Sequence, residues 1–211
     1  MNAHRALAAA ISSILLGATL AIALPASASA APPTPTNLQL VARSGSALLL
    51  SWDWNPAATY ELSYGDTSIP FSSPPGYITP PGVDFSPGHS YLFQVRAVTA
   101  NGQKSAPATL PFETTPPSAV DLGTVGAQNV VSWSAATDNS GVIKTYEVRQ
   151  VRLKNTLLIG KTTSTTANIR ILVTKLFTGE PLPGPMTIEV RAVDKSLNLG
   201  PLSDPVVVNL S

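Results

Sequence analysis

Apolar and polar residues alternate along several short stretches of the chain. Alternation with a period of two is typical of β-strands that bury one face. Gly- and Pro-containing turns separate these stretches, and the chain after its first thirty residues shows no sustained helical period. The pattern predicts an all-β fold of short antiparallel strands. The clearest inward-facing sets are Leu48, Leu50 and Trp52; Tyr60, Leu62 and Tyr64; and Tyr91, Phe93, Val95 and Ala97.

The second half of the chain repeats the order of the first. The tetrapeptide Val-Arg-Ala-Val occurs at Val95–Val98 and again at Val190–Val193. In the same order, 81 residues separate Trp52 from Trp133, 86 separate Tyr60 from Tyr146, and 95 separate Val95 from Val190. The growing offset indicates two copies of one scaffold, with longer connections in the second copy.

Two proline-rich segments and an apolar leader predict the organisation of the chain. Arg5 precedes a run rich in Ala, Ile and Leu, which ends at the small residues Ala28-Ser29-Ala30. This pattern is typical of a cleaved secretory signal. Proline clusters stop strands and stiffen linkers, and one such cluster is Pro116-Pro117. We therefore predict a signal peptide at 1–30, a first domain at 31–115 with a proline-rich lead, and a second domain at 116–211.

Composition excludes several classes of protein. The chain has no cysteine, so disulfides and thiolate metal sites are excluded. Charged residues make up only 12 %, and basic and acidic residues balance once Arg5 is removed with the leader. Nucleic-acid binding requires a denser basic surface, so we expect no nucleic-acid partner. No stretch after the leader is apolar and long enough to cross a membrane, so we expect no membrane attachment after cleavage.

The order of these motifs resembles that of fibronectin type III domains in secreted bacterial proteins. The resemblance rests on an early strand with Trp, a following strand with Tyr, and the late stretches YLFQVRAV and MTIEVRAV. The resemblance implies two tandem seven-stranded immunoglobulin-like sandwiches, each with one sheet of three strands and one of four. It places each VRAV in the F strand, on the three-stranded sheet. It also implies a corner tyrosine at Tyr91, where the second copy has Met186.

Candidate chemistry is sparse. His89 is the one histidine after the leader; it lies in a turn, and a zinc site would need several such ligands. Asp53, Glu61, Asp66 and Asp84 are scattered rather than paired for glycoside hydrolysis. The stretch Asp138–Gly141 is rich in oxygen atoms, but it has no closing acidic ligand of its own. We interpret it as a turn, with weak calcium binding as the alternative. We expect no enzyme activity, no cofactor and no metal.

Aromatic residues are the remaining candidates for binding. Trp54 follows the strand that ends near Asp53, and Tyr77 lies between two proline turns. Exposed rings on the loops of a sandwich are suitable contact residues. We predict that Trp54, with Tyr77, contacts a partner, although Trp54 folded over the end of the sandwich is an alternative. The predicted structural core consists of Trp52, Tyr60, Tyr91, Val95, Trp133, Tyr146 and Val190.

These observations predict a secreted, non-catalytic interaction or spacer protein that is extracellular or attached to the cell envelope. Its partner would be an extracellular protein or glycan that binds to loop tips or to a sheet edge. The alternative is an accessory component of extracellular polysaccharide degradation. Both functions are expectations from the residues and from the resemblance.

Overall fold

Short alternating segments form the strands of a first sandwich, as the periodicity predicts. The protein is described by a computed structural model covering residues 30–56, 58–71, 77–177 and 184–210, and the predicted signal peptide lies outside these residues apart from Ala30. The strands are β1 (Gln39–Ser44), β2 (Ala47–Ser51), β3 (Thr59–Tyr64), β4 (Thr67–Phe71), β5 (Tyr77–Ile78), β6 (Ser90–Val98) and β7 (Ala108–Glu113).

Two antiparallel sheets make up this sandwich, one with strand order β1-β2-β5 and the other with order β4-β3-β6-β7. The three-plus-four arrangement is the one predicted. The placement of the first VRAV was wrong in one respect, because β6 lies in the four-stranded sheet. The reason is the two-residue turn between β3 and β4, where Gly65 has φ +52°. That turn folds β4 back onto β3 as a hairpin and adds it to the sheet of β6.

The second sandwich repeats this plan with changes. Its elements are β8 (Val130–Ser132), β9 (Ile143–Val151), β10 (Thr156–Thr162), β11 (Thr166–Asn168), α1 (Ile169–Phe177), β12 (Gly184–Asp194) and β13 (Val206–Leu210). The strands are antiparallel and form a two-stranded sheet of order β11-β8 and a four-stranded sheet of order β10-β9-β12-β13. The predicted sheet of three strands is thus reduced to two, because among the described residues the first strand of the repeat is only a bridge between Leu122 and Trp133. The second VRAV, in β12, also lies in the four-stranded sheet and not in the smaller sheet that was predicted.

Helix α1 is the main departure from the expectation of strands alone. Its N-terminus is capped by Asn168, whose side-chain oxygen accepts a hydrogen bond from the backbone N–H of Ile171 at 3.0 Å. Ile169 and Val173 are buried against the second core. Gly160 on β10 admits the helix, because a Cβ at that position would lie 2.6 Å from the side chain of Leu172. The helix thus contributes two buried side chains to the second core.

Each sandwich has its own hydrophobic core. The first core is formed by buried residues between Leu40 and Phe112, and the second by buried residues between Val120 and Leu210. In both VRAV segments the Val and Ala side chains at the first and third positions are buried, since they share the inward face of the strand. The arginine between them, Arg96 or Arg191, lies on the opposite face.

Trp52 is the largest side chain near the centre of the first core, and it is 5 % exposed. We expect Trp52→Ala to lower the free energy of unfolding of the first sandwich by about 3–5 kcal/mol, because a cavity replaces a large buried ring. Denaturant unfolding followed by circular dichroism measures the change. Leu92→Ala is the control, since Leu92 is 47 % exposed on β6. A loss below about 1 kcal/mol for Trp52→Ala would contradict the core assignment.

Candidate functional site

Trp54, the first predicted contact residue, lies where the chain leaves β2. Its side chain is half-buried and packs on the first core, with its ring centroid 5.1 Å from that of Tyr60. It also lines a cleft of ≈ 270 Å³ beside the proline-rich lead. Asp53 holds that lead in place, because its carboxylate accepts a hydrogen bond from the Asn37 side chain at 2.7 Å.

Tyr77, the second predicted contact residue, begins β5, but its side chain lies outside the described residues. The structure therefore does not bring Trp54 and Tyr77 side chains together as one site. Their contact with a partner stays a prediction.

The predicted core residues lie inside the two sandwiches. Tyr91 differs from the others in being half-buried, and its hydroxyl accepts a hydrogen bond from the backbone N–H of Asp84 at 2.7 Å. Met186, at the matching position of the second copy, is also half-buried and packs on the second core. The remaining predicted core residues are buried: Trp52, Tyr60, Val95, Trp133, Tyr146 and Val190.

A loop of the second sandwich is packed against the first sandwich. This junction loop comprises the residues that follow β12, from Lys195 to Gly200, and residues 31–211 form one compact unit. Leu197 of the loop packs on the first core and adopts φ +60°. The hydroxyl of Ser196 accepts a hydrogen bond from the backbone N–H of Glu113 at 3.0 Å. The loop therefore contributes both apolar and polar contacts to the first sandwich.

Asn198 is the central polar residue of the junction and is 4 % exposed. Its side-chain nitrogen donates to the main-chain oxygen of Glu113 at 2.9 Å and to that residue's carboxylate at 2.7 Å. The same nitrogen lies 2.7 Å from a carboxylate oxygen of Asp194. Its side-chain oxygen accepts a hydrogen bond from the guanidinium of Arg43 on β1. The side chain of Asn198 thus connects two strands of the first sandwich, β1 and β7, to the second sandwich.

Arg43 is held at the junction by aromatic rings as well. Its guanidinium carbon lies 5.2 Å from the ring centroid of Phe85 and 5.6 Å from that of Phe112. A guanidinium over an aromatic face gains electrostatic and dispersion energy, which fixes its orientation. Arg43 therefore reaches Asn198 from a preorganised position.

The junction also holds two carboxyl groups close together. Asp194 is 0 % exposed and Glu113 is 8 % exposed. Burial, followed by the hydrogen-bonding contact with the carboxyl group of Glu113, raises the pKa of Asp194 to about 7. Hydrogen bonds from the backbone and side chain of Asn198 oppose that shift in the pKa without cancelling it. Two buried carboxyl groups therefore lie next to each other at the junction, where their negative charges repel.

A cleft of ≈ 530 Å³ opens between the sandwiches next to the junction. On its wall, the carboxylate of Glu147 lies 2.7 Å from Arg191, 3.1 Å from Arg149 and 3.2 Å from Lys161. Burial alone would raise the pKa of Glu147, but hydrogen bonds from Arg191 and Lys161 outweigh it and lower the pKa. The cross-strand pairing of Glu147 with Arg191 follows from their register on β9 and β12.

Glu113, Asp194 and Asn198 are not among the site residues predicted from the sequence. Glu113 lies just before the Pro116-Pro117 cluster at the predicted domain boundary, yet it ends β7 with a buried side chain. One signal was present for Asp194, which lies two residues after the inward-facing Ala192 and so shares its face of β12. An acid on an inward position indicates a buried partner. No signal in the sequence connects Asp194 to Glu113, because the two are distant along the chain.

Within the described residues, no helix is long and apolar enough to cross a membrane. No family model and no curated protein matches the chain.

Solved structures similar to this chain are arrays of fibronectin type III domains. The FN1–FN3 domains of chicken CNTN1 match with 15 % identity over 85 % of this chain and 68 % of that one, at a TM-score of 0.45. The fibronectin(III)-like modules of CbhA from Clostridium thermocellum match with 16 % identity over 88 % and 92 %, at 0.42. A two-domain segment of chicken tenascin matches with 17 % identity over 83 % and 98 %, at 0.32.

The likeness at these identities concerns the fold alone. The strand orders described above carry the assignment, since each sandwich pairs a small sheet with a four-stranded one in the same order. The predicted fold is confirmed by these strand orders: the chain folds as two tandem antiparallel β-sandwiches.

Glu147 should make stability depend on pH. A carboxylate whose pKa is lowered on folding stabilises the fold above its unfolded pKa, and this contribution is lost as pH falls through the folded pKa. We expect Glu147→Gln to melt several degrees lower than the unsubstituted protein at pH 7, with the difference shrinking toward pH 3. Thermal melts at a series of pH values measure it.

The matched control is Glu61→Gln in the first sandwich. Glu61 follows Tyr60 as Glu147 follows Tyr146. Within the described part of the chain, however, its ion pair is with Lys104 alone, whose side chain is 49 % exposed. Exposed pairs contribute little, so this variant should change the melting temperature by a degree or less at any pH. Equal pH profiles for the two variants would contradict the role of Glu147.

Proposed function

We propose that this tandem pair of fibronectin type III-type sandwiches is a non-catalytic, secreted interaction and spacer protein of the extracellular space or the cell envelope. In this role the second sandwich is held in a fixed orientation on the first. The two together present surfaces to a partner at a set distance and angle. The partner would be another extracellular protein or a glycan.

The observation that supports the proposal is the buried polar junction. Domains joined by a flexible linker meet through small, wet contacts and move relative to each other. Here Ser196 and Asn198 of the junction loop are buried and hydrogen-bonded to Glu113 of the other sandwich. Buried polar groups that satisfy one another do so in one geometry only, because any other arrangement leaves them without partners. A fixed orientation is what a spacer requires.

The described acids and the single described histidine support a non-catalytic role. The ring of His89 lies 3.1 Å from the carboxylate of Asp84 on an exposed turn, where the two side chains are 46 % and 54 % exposed. Among the described residues, no hydroxyl donates a hydrogen bond to that ring. A nucleophile activated by histidine would need such a contact.

Trp54 is the contact residue we propose on the first sandwich. Its ring is covered on the side of Tyr60 but borders the cleft beside the proline-rich lead. An aromatic ring that is rigidly supported and partly accessible is a typical anchor for a partner. The same ring could stack on a sugar, which keeps accessory participation in polysaccharide degradation as the second candidate.

Fixed orientation can be measured directly, because the chain has no cysteine and accepts two labels at chosen positions. Cysteines at the exposed positions Thr109 and Lys154 place one label on each sandwich. We expect a narrow distance distribution by electron paramagnetic resonance. Asn198→Ala should broaden it at least twofold, since the hydrogen bonds of the junction are lost.

Asn101→Ala is the matched control, because Asn101 lies in the equivalent loop of the first sandwich and its described contact is with Thr99 of that same loop. Its distribution should equal that of the unsubstituted protein. A distribution that is broad before any substitution would contradict the fixed spacer.

The contact role of Trp54 predicts a loss of binding. We expect Trp54→Ala to weaken the interaction with the partner at least tenfold, a loss of about 1.4 kcal/mol, while Trp54→Phe retains most of it. Sedimentation with insoluble polysaccharides and with cell-wall preparations measures glycan binding, and affinity capture from culture supernatant measures protein binding. Retention by glycans would favour the second candidate. Unchanged binding of Trp54→Ala in every assay would contradict a contact at this residue.

A further inference from the structure

Three carboxylates from three segments converge at the junction. Glu113 ends β7 of the first sandwich, Asp138 lies in the loop between β8 and β9, and Asp194 ends β12. One carboxylate oxygen from each lies within 4.8 Å of the other two. Asp194 and Glu113 are withdrawn from solvent almost completely. The junction therefore brings together up to three negative charges, two of them on buried side chains that water screens poorly.

No described basic side chain forms an ion pair with this acid triad. Among the described ion pairs within 4.0 Å, none involves Glu113, Asp138 or Asp194. The guanidinium of Arg43 attracts the charges of Asp194 and Glu113 from a greater distance, but it donates its hydrogen bond to Asn198. Carboxylates brought together in a buried site repel each other by several kcal/mol unless a proton or a cation joins them.

Backbone and side-chain donors reach the carboxyl groups of Glu113 and Asp194. The side-chain nitrogen of Asn198 lies within 2.9 Å of three acceptors, two on Glu113 and one on Asp194. An amide nitrogen carries two hydrogens, so Asn198 cannot donate to all three oxygens at once. Backbone N–H groups donate to the other oxygens, from Thr115 to Oε2 of Glu113 at 2.6 Å and from Asn198 to Oδ1 of Asp194 at 2.8 Å.

An unpartnered buried oxygen provides a second, independent observation. Oδ2 of Asp138 accepts a hydrogen bond from the backbone N–H of Ser140 at 2.9 Å. Oδ1 of the same side chain exposes less than 1 Å² to solvent and has no hydrogen-bond partner in the described structure. An ionised oxygen that is removed from water without a partner is costly, and a metal ion is one of the few groups that would compensate it.

We propose that Glu113, Asp138 and Asp194 bind one calcium ion between the two sandwiches. Carboxylate oxygens are the ligands that hard divalent cations prefer. Oxygens on opposite sides of one Ca²⁺ are about 4.6–5.2 Å apart, so a single ion can reach oxygens spaced like these. Mg²⁺ has shorter bonds and retains several waters, which a buried site formed by bulky side chains accommodates less well.

The bound ion would complete its ligand set with acids from outside the loop that the sequence predicts to be a turn. The stretch Asp138–Gly141 has no closing acidic ligand of its own, and the fold supplies two from distant segments. Because Glu113 belongs to one sandwich and the other two acids belong to the second, a bound ion joins the sandwiches. This consequence deepens the proposed spacer role and rests on it, whereas the binding of the ion stands on the geometry of the acid triad.

The experiment is a calcium titration of the full chain after chelator treatment. Isothermal titration calorimetry with CaCl₂ should show one site per chain with Kd below about 10⁻³ M, in the range of extracellular calcium modules. The melting temperature should rise by about 5 °C at Ca²⁺ a hundredfold above Kd, because the ion binds the folded state alone. MgCl₂ at the same concentration should produce less than a third of that rise.

Asp138→Asn is the test variant, since it removes one charge from a loop and leaves both core strands unchanged. It should weaken calcium binding at least tenfold. Asp204→Asn removes an exposed charge elsewhere in the second sandwich and should bind calcium as the unsubstituted protein does. Absence of a calcium response in the unsubstituted protein, an equal response to Mg²⁺, or an undiminished response of Asp138→Asn would each overturn the proposal.

The distance measurement between the two sandwiches, repeated with and without Ca²⁺, separates this proposal from the proposed function. Calcium binding together with a distribution that stays broad in both conditions would support the ion site and overturn the spacer. A narrow distribution without any calcium binding would support the spacer and overturn the ion site. Narrowing upon addition of Ca²⁺ would support both.

Discussion

The burial of acidic groups between the two sandwiches is the constraint on which the rest of the structure depends. Each sandwich can form a core by alternation alone, but the buried carboxyl group of Glu113 accepts its side-chain hydrogen bond from Asn198 of the opposite sandwich. Arg43 of the first sandwich donates to Asn198 in turn. Because Glu113 and Arg43 both lose Asn198 if the sandwiches separate, the junction couples the two cores more tightly than a proline linker would.

Most of the fold was predictable because it follows from a local rule. A period of two assigns the buried face of a strand from a few neighbouring residues, and the two VRAV segments obey that rule in both copies. The rule does not decide to which sheet a strand belongs. In the first sandwich this depends on the turn at Gly65, which has a positive φ. The turn folds β4 back onto β3, so that β4 joins the sheet that contains β6.

Helix α1 and the acid triad were not predictable, for two different reasons. The segment from Ile169 to Phe177 is rich in β-branched residues, and its helical state depends on the cap at Asn168 and on the space left by Gly160. Both conditions become visible only in three dimensions. The acid triad brings together residues from β7, β12 and a loop, and no spacing along the chain encodes their meeting.

The differences between the copies concentrate where the second sandwich faces the first. Asp194 stands where the first copy has Thr99, whose hydroxyl makes its described hydrogen bonds within its own turn. Glu147 binds three basic residues where the equivalent Glu61 has one exposed partner. Two independent modules would have no physical reason to bury Glu113 of one copy beside Asp194 of the other. The asymmetry is what is expected if the second copy is adapted to hold the first.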